Sequence, residues 1–298
     1  MEYAKLGKSE LRISRIGFGC MSLNKNAGEN DSLIRHAYES GINFFDTADL
    51  YDHGQNEIIL GKCLKEKRKE VIIATKVGNQ WRKDGSGWDW NPSKEYILTC
   101  VEESLQRLQT DYIDLYQLHG GTVNDPINET IEAFELLKEQ GKIRYYGISS
   151  IRPNVIREYV KKSAIVSVMM QYSLLDRRPE ETCLPLLQEN NIGVLARGSV
   201  AQGLLINKPA KEYLGYKPDE VSKAAKGVQS VLTDGRNETQ VAIRFVLQNP
   251  AITSAVVGMR NTAQLKEAVG SVSSTSLSAN EMEQLKSVLP ANYYSDHR

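Results

Sequence analysis

No stretch of the 298 residues approaches the apolar length of a membrane-spanning helix, which takes roughly 20 positions. The opening run, Met1-Glu-Tyr-Ala-Lys-Leu-Gly7, has no apolar core of the signal-peptide kind. Cysteine is scarce. The four residues, Cys20, Cys63, Cys100 and Cys183, lie far apart with no C-x-x-C pair, which argues against a disulfide framework and a zinc site. Such a chain suits a reducing compartment, and the cytoplasm is the expected setting. Charge of one sign is missing too: 37 basic residues balance 37 acidic ones. Neither nucleic acid nor an anionic membrane surface is an expected partner. Low-complexity linkers and internal repeats are absent. So is the third glycine of a dinucleotide fingerprint, since Gly17-Phe-Gly19-Cys-Met-Ser stops after two.

What is present is an alternation of short apolar runs with amphipathic ones. Strands are expected at Ile16–Cys20, Asn43–Thr47, Val71–Val77, Tyr112–Leu118, Ile143–Ser149, Ser167–Tyr172, Gly193–Ala196 and Ser254–Gly258. Helices are expected over 31–40, 94–108, 129–140, from Pro153, over 179–190 with Pro185 awkwardly inside, over 238–248 and over 261–269. Eight nearly all-apolar strands separated by helices indicate parallel pairing with both faces covered. The fold class predicted is α/β, a (β/α)8 TIM barrel spanning 1–298 as one domain. Its additions are an N-terminal β-hairpin at 3–14, a segment 203–236 after strand seven and a C-terminal helix near 279–289. Within the second, 207–236 reads as a flexible insertion.

In such a barrel the chemistry collects at the carboxyl ends of the strands. The stretch Asn43-Phe-Phe-Asp-Thr-Ala-Asp-Leu-Tyr51 places Asp46 at the end of strand two and Tyr51 in the loop beyond. Strand three ends at Lys76 and strand four at His119. A lysine among β-branched strand residues needs a counter-charge, and Asp46 is the neighbour that supplies one. Lys76 beside Tyr51 is expected to lower the phenol's pKa from ~10 toward working pH and make it a general acid. His119 is placed to hydrogen-bond a substrate oxygen. Taken singly, each residue has an ordinary structural role; four on three successive strand ends form a site. A metal hydrolase built on His53, His119 and Asp46 is the remaining chemical reading, and it leaves Lys76 unexplained.

Phe45-Asp46-Thr-Ala-Asp49-Leu-Tyr51, Ala74-Thr-Lys76, Asp114-Leu-Tyr-Gln-Leu-His119, Gly147-Ile-Ser149 and Gly258-Met-Arg260-Asn together resemble the aldo-keto reductases, nearly end to end. The resemblance implies a catalytic set of Asp46, Tyr51, Lys76 and His119. It also implies hydride transfer from a reduced nicotinamide to the carbonyl carbon of a small aldehyde or ketone, with the proton from Tyr51. The cofactor would lie across the barrel mouth without a Rossmann fold. Met21, Asp46, Ser149 and Gln171 then fall on cofactor positions, with Ser150 where Asn is more usual. Arg197 replaces the common stacking aromatic, and its planar guanidinium also stacks on rings. Gly198, Ser199, Val200 and Gln202 would pass the pyrophosphate. Gly258 falls on a further cofactor position ahead of the eighth helix, and Arg260 and Gln264 would take the adenosine 2′-phosphate, so the cofactor expected is NADPH/NADP+. Ala268 stands where an adenine-binding Asn is often found. The alternative within the same family is a cofactor-holding regulatory subunit. The tryptophans of the loop Gln80–Pro92, Trp81, Trp88 and Trp90, either wall an apolar pocket or pack that loop on the barrel.

Overall fold

The computed structural model describes residues 1–23, 27–233 and 235–298. Among these, eight parallel strands close into a barrel. They are β1 (Ile16–Gly19), β2 (Phe44–Asp46), β3 (Ile72–Val77), β4 (Ile113–Leu118), β5 (Ile143–Ser149), β6 (Ser167–Gln171), β7 (Gly193–Arg197) and β8 (Ile252–Gly258). Each pairs with the next, and β8 returns to β1 through Ala255↔Ile16 and Gly258↔Gly19. Side chains beside this seam reinforce it: Arg15 Nη1 donates to Thr253 O at 3.0 Å and Ser254 Oγ to Ser14 O at 2.8 Å.

Alternate strand residues face the interior. At the amino-terminal end these are apolar, and Phe44, Ala74, Leu115, Met169, Leu195 and Val256 form a cluster closed from below by Leu6, Leu11 and Ile13. Those last three belong to the expected N-terminal hairpin, Tyr3–Lys5 paired with Arg12–Ser14, which stoppers the barrel. Its turn works because Gly7 has φ +52, and a Cβ there would lie 2.5 Å from Val166 O and 2.7 Å from Gly193 N. Burying each of the three aliphatic side chains contributes about 1.5–3 kcal/mol.

The helices are α1 (Ala27–Glu39), α2 (Gln55–Leu64), α3 (Lys94–Leu108), α4 (Ile127–Glu139), α5 (Pro153–Lys162), α6 (Cys183–Glu189), α7 (Pro218–Ser230), α8 (Glu238–Leu247), α9 (Thr262–Ser273) and α10 (Ala279–Ser287). Their apolar stripes pack on the outward strand residues in one continuous cluster. Ser93 caps α3 by accepting from Tyr96 N. Pro185 is tolerated because α6 starts at Cys183, which leaves the proline in the first turn.

Three readings change. Helix α2, reached through the loop after β2, escapes the periodicity because its buried set includes the polar Asn56 and Glu57. The segment 207–236 is not a flexible insertion over its described part: it holds α7, whose Val221, Ala224, Gly227 and Val228 are buried, and residue 234 lies outside the described residues. The loop after β3 is an antiparallel hairpin, Asn79–Trp81 with Trp88–Trp90.

Candidate active site

At the carboxyl end the interior turns polar. Asp46, Lys76 and Gln117, the inward residues of β2, β3 and β4, are all buried. The Lys76 ammonium donates to Asp46 Oδ2 at 2.7 Å, to Thr47 O at 2.7 Å and to the Tyr51 hydroxyl at 3.4 Å. Gln117 Nε2 donates to the other Asp46 oxygen at 3.3 Å. Thr47 is fixed in turn, since its hydroxyl donates to Asn56 Oδ1 at 2.9 Å and Asn56 Nδ2 donates to Cys20 O at 2.9 Å. The loop after β2 bends sharply beyond Tyr51, with Asp52 and His53 at φ +47 and +52. That left-handed pair turns the chain into α2 while the phenol stays over Lys76.

Burial opposes every charge here, and only at Lys76 do the contacts outweigh it. For Lys76, burial would depress the ammonium, but Asp46 and the Tyr51 oxygen outweigh it and its pKa lies above the ordinary value. For Asp46, burial outweighs Lys76 and Gln117 and raises the carboxyl. Tyr51 corrects the expectation of a lowered phenol pKa. Burial pushes it above the usual phenol value, Lys76 pulling against this and Asp46 returning part of that pull. The phenol is therefore protonated at neutral pH. His119 is pushed down to about 3 by burial, then by Lys76 and Arg197, so its imidazole is neutral. Its ring meets the Tyr51 ring edge-on at 5.8 Å, and its Nδ1 is buried without a partner among the described residues.

These groups open into a cleft of about 630 Å³ at the barrel mouth. Met21, Ser149, Ser150 and Arg197 join Tyr51, Lys76 and His119 in its wall. Arg197 Nη1 donates to Gln171 Oε1 at 3.0 Å, and Gln171 Nε2 donates to the Tyr213 hydroxyl at 2.9 Å. Ser150 is spent on its own turn, its hydroxyl accepting from Arg152 N at 3.2 Å. Beyond β7, Gly198 has φ +75, Ser199 Oγ is buried with no partner among the described residues, and Val200 leads into a left-handed Ala201-Gln202 pair. Gly258 ends β8 against Ser22, so close that a Cβ would sit 2.2 Å from its hydroxyl. Arg260 N then donates to Gln264 Oε1 at 2.9 Å at the exposed start of α9. Ala268 is fully buried, which takes that position out of reach of a mouth ligand.

The three tryptophans divide. Trp88 and Trp90 line the mouth, and Trp90 is anchored by its indole N–H on Asp125 Oδ2 at 3.1 Å. Trp81 instead stacks on His53, with centroids 3.8 Å apart. Two supporting residues escaped the sequence reading. Gln117 shares the parity of His119 in β4, so a polar residue on the inward face was a usable signal. Tyr213 offered none, because it meets Gln171 only through the return of the segment after β7.

The sequence profile described as the aldo/keto reductase family matches residues 15–290. The chain belongs to that family. It is 50% identical to the uncharacterized oxidoreductase YqkF of Bacillus subtilis, with all of both chains covered. It is 35% identical to the NADH-specific methylglyoxal reductase of Escherichia coli, over 72% of each. The holo form of aldo-keto reductase AKR11C1 from Bacillus halodurans superposes with a TM-score of 0.94 at 49% identity, covering 100% of this chain and 99% of that one. This aldo-keto reductase is thus an oxidoreductase by family, and its closed barrel is the family's fold.

Proposed function

We propose that this aldo-keto reductase reduces small aldehydes or ketones with NADPH, using Tyr51 as proton donor, Lys76 and Asp46 to govern it, and His119 to seat the carbonyl. The observation that carries the reading is the buried Lys76 ammonium, bonded to Asp46 and reaching the Tyr51 hydroxyl at the mouth. A protonated phenol beside an ammonium is a proton donor whose conjugate base has a cation waiting. His119, neutral and unpartnered at Nδ1, directs a nitrogen at a carbonyl oxygen without competing for the proton.

Features of the mouth fit a nicotinamide dinucleotide. Ser149 and Gln171 supply hydroxyl and amide groups for a carboxamide, and the Arg197 guanidinium supplies a plane for the ring. The unpartnered Ser199 Oγ beside Gly198 suits a phosphate oxygen. Arg260, exposed at the amino end of α9 and without an ion pair among the described residues, suits a 2′-phosphate. When bound, the reduced cofactor supplies a hydride to the carbonyl carbon. Tyr51 gives its hydroxyl hydrogen to the carbonyl oxygen, Lys76 lowers the cost of the phenolate left behind, and Asp46 keeps Lys76 charged. Trp88 and Trp90 make the substrate side apolar, which favours a carbonyl compound with a hydrophobic body.

The test is Tyr51→Phe. Turnover is expected to fall by roughly 10²–10⁴, with NADPH still bound as judged by its fluorescence. Near-normal turnover removes Tyr51 from the acid role. A wild-type chain that binds NADPH yet turns over no aldehyde in a broad panel points to a cofactor-holding regulatory subunit instead.

A further inference from the structure

The end of β6 carries an amide held on three sides. Gln171 pairs in register with Arg197, the last residue of β7. Its stem lies so near Gly198 that a Cβ on that glycine would sit 3.2 Å from Gln171 Cγ. A guanidinium only donates, so Arg197 Nη1 at 3.0 Å settles which amide atom faces it, namely Oε1. Nε2 then stands on the other side and donates to the Tyr213 hydroxyl at 2.9 Å. Each end of the amide keeps one further hydrogen-bonding capacity, a lone pair on Oε1 and a hydrogen on Nε2.

Tyr213 is itself fixed. It is buried, and it exchanges backbone hydrogen bonds with Tyr216 in both directions, each at 3.0 Å. These close a two-residue turn in which Leu214 has φ +50 and Gly215 φ +88. Left-handed backbone is uncommon and costly at a leucine, and it persists where the surroundings hold it. Here the holding is visible, since the Tyr216 hydroxyl donates to Pro290 O at 2.7 Å and moors the turn to the chain beyond α10.

We propose that Tyr213 is a positioning residue for the nicotinamide: it holds the Gln171 amide, and through it the Arg197 guanidinium, in the one orientation that receives the cofactor. The inference rests on the reading of Gln171 and Arg197 as nicotinamide contacts. The last torsion of a glutamine is broad and roughly two-fold, so an amide without the Tyr213 oxygen turns more freely about it. A carboxamide presents its acceptor and donor in a fixed order, and a mobile partner must be ordered at the expense of binding. Tyr213 removes that cost before the cofactor arrives.

Tyr213→Phe takes away the hydroxyl and keeps the ring. Calorimetric titration of the full chain with NADPH should show binding weakened by roughly three- to tenfold, the worth of one hydrogen bond. The fragment 2′-phospho-ADP-ribose carries the same phosphates without the nicotinamide, and its affinity should change by less than about twofold. A tyrosine that merely supports the fold would weaken both alike. In a Gln171→Leu background, itself weaker for NADPH, Tyr213→Phe should bring no further loss, because the group it acts through is gone. Unchanged NADPH affinity in Tyr213→Phe or in Gln171→Leu, equal losses for NADPH and the fragment, or a full additional loss in the double variant overturns the inference. If the fragment binds too weakly to measure, the double variant decides alone. A wild-type chain that binds no NADPH overturns the reductase reading as well, whereas NADPH binding that Tyr213→Phe leaves intact removes only Tyr213.

Discussion

Lys76→Met is the sharpest probe of the barrel's polar top, because it separates stability from chemistry. The substitution keeps the aliphatic stem and removes the ammonium that holds Asp46 at 2.7 Å. Among the described residues, buried Asp46 then keeps only the Gln117 amide, at 3.3 Å, as a side-chain partner. Breaking a buried pair in this way typically costs about 3–5 kcal/mol. Protonation sets a ceiling on the loss. An Asp with the ordinary value of 3.8 can be neutralised at pH 7 for about 1.4 kcal/mol per pH unit, about 4 kcal/mol in all. The same step costs about 1.6 kcal/mol at pH 5. Urea unfolding at the two pH values should therefore show Lys76→Met losing about 3–4 kcal/mol at pH 7 and about half that at pH 5. Adding Asp46→Asn should restore most of the loss at pH 7 and leave little pH dependence. An equal deficit at both values, or a double variant no more stable than Lys76→Met, refutes the view that an unpaired Asp46 is the source of the damage.

Other perturbations follow from the same geometry. His119, pushed down to about 3, is protonated in the unfolded chain before the folded one. It adds stability above pH 6.5 that is lost as pH falls toward 3, and His119→Gln should flatten the acid limb of urea stability by about 2 kcal/mol between pH 6.5 and 4.5. If the two profiles are parallel, the imidazole is not held neutral. Arg260→Ala should weaken NADPH by about tenfold or more in fluorescence titration and NADH hardly at all; equal losses would detach Arg260 from the 2′-phosphate. The pair of cofactors is informative because the Escherichia coli relative is an NADH-specific methylglyoxal reductase. Gly7→Ala forces a Cβ against three backbone atoms at positive φ and should cost about 2 kcal/mol or more in urea unfolding, with NADPH affinity unchanged.

The barrel was legible because parallel strands buried on both faces write themselves as apolar runs, and Lys76 stood out as a charge where such a run tolerates none. Parity then pointed inward from Asp46, Lys76 and His119 alike. The sign of the Tyr51 shift was not legible. It depends on how completely the phenol is buried, and burial outweighs a lysine that is itself shared with Asp46. Helix α7 is written in the sequence, since Pro218 opens it and Val221, Ala224 and Val228 recur at helical spacing, but turn-forming residues on either side mask that spacing. Tyr213 belongs to a different class. Nothing local marks it, because it is defined by residues that arrive from other parts of the chain.

The seam between β1 and β8 bears on the order in which this protein is made. Ile16 finds its partner Ala255 only after most of the chain has been synthesised, so a nascent sheet carries two bare edges for nearly the whole of translation. Contacts of such sequence separation fold slowly, and open edges invite pairing with other chains. Arg15 and Ser14, which clasp the returning strand, are among the first residues to emerge and among the last to be satisfied. The final β-strand is therefore the latch of the whole assembly, and a chain that stops short of it is left as an open sheet with nothing to close upon.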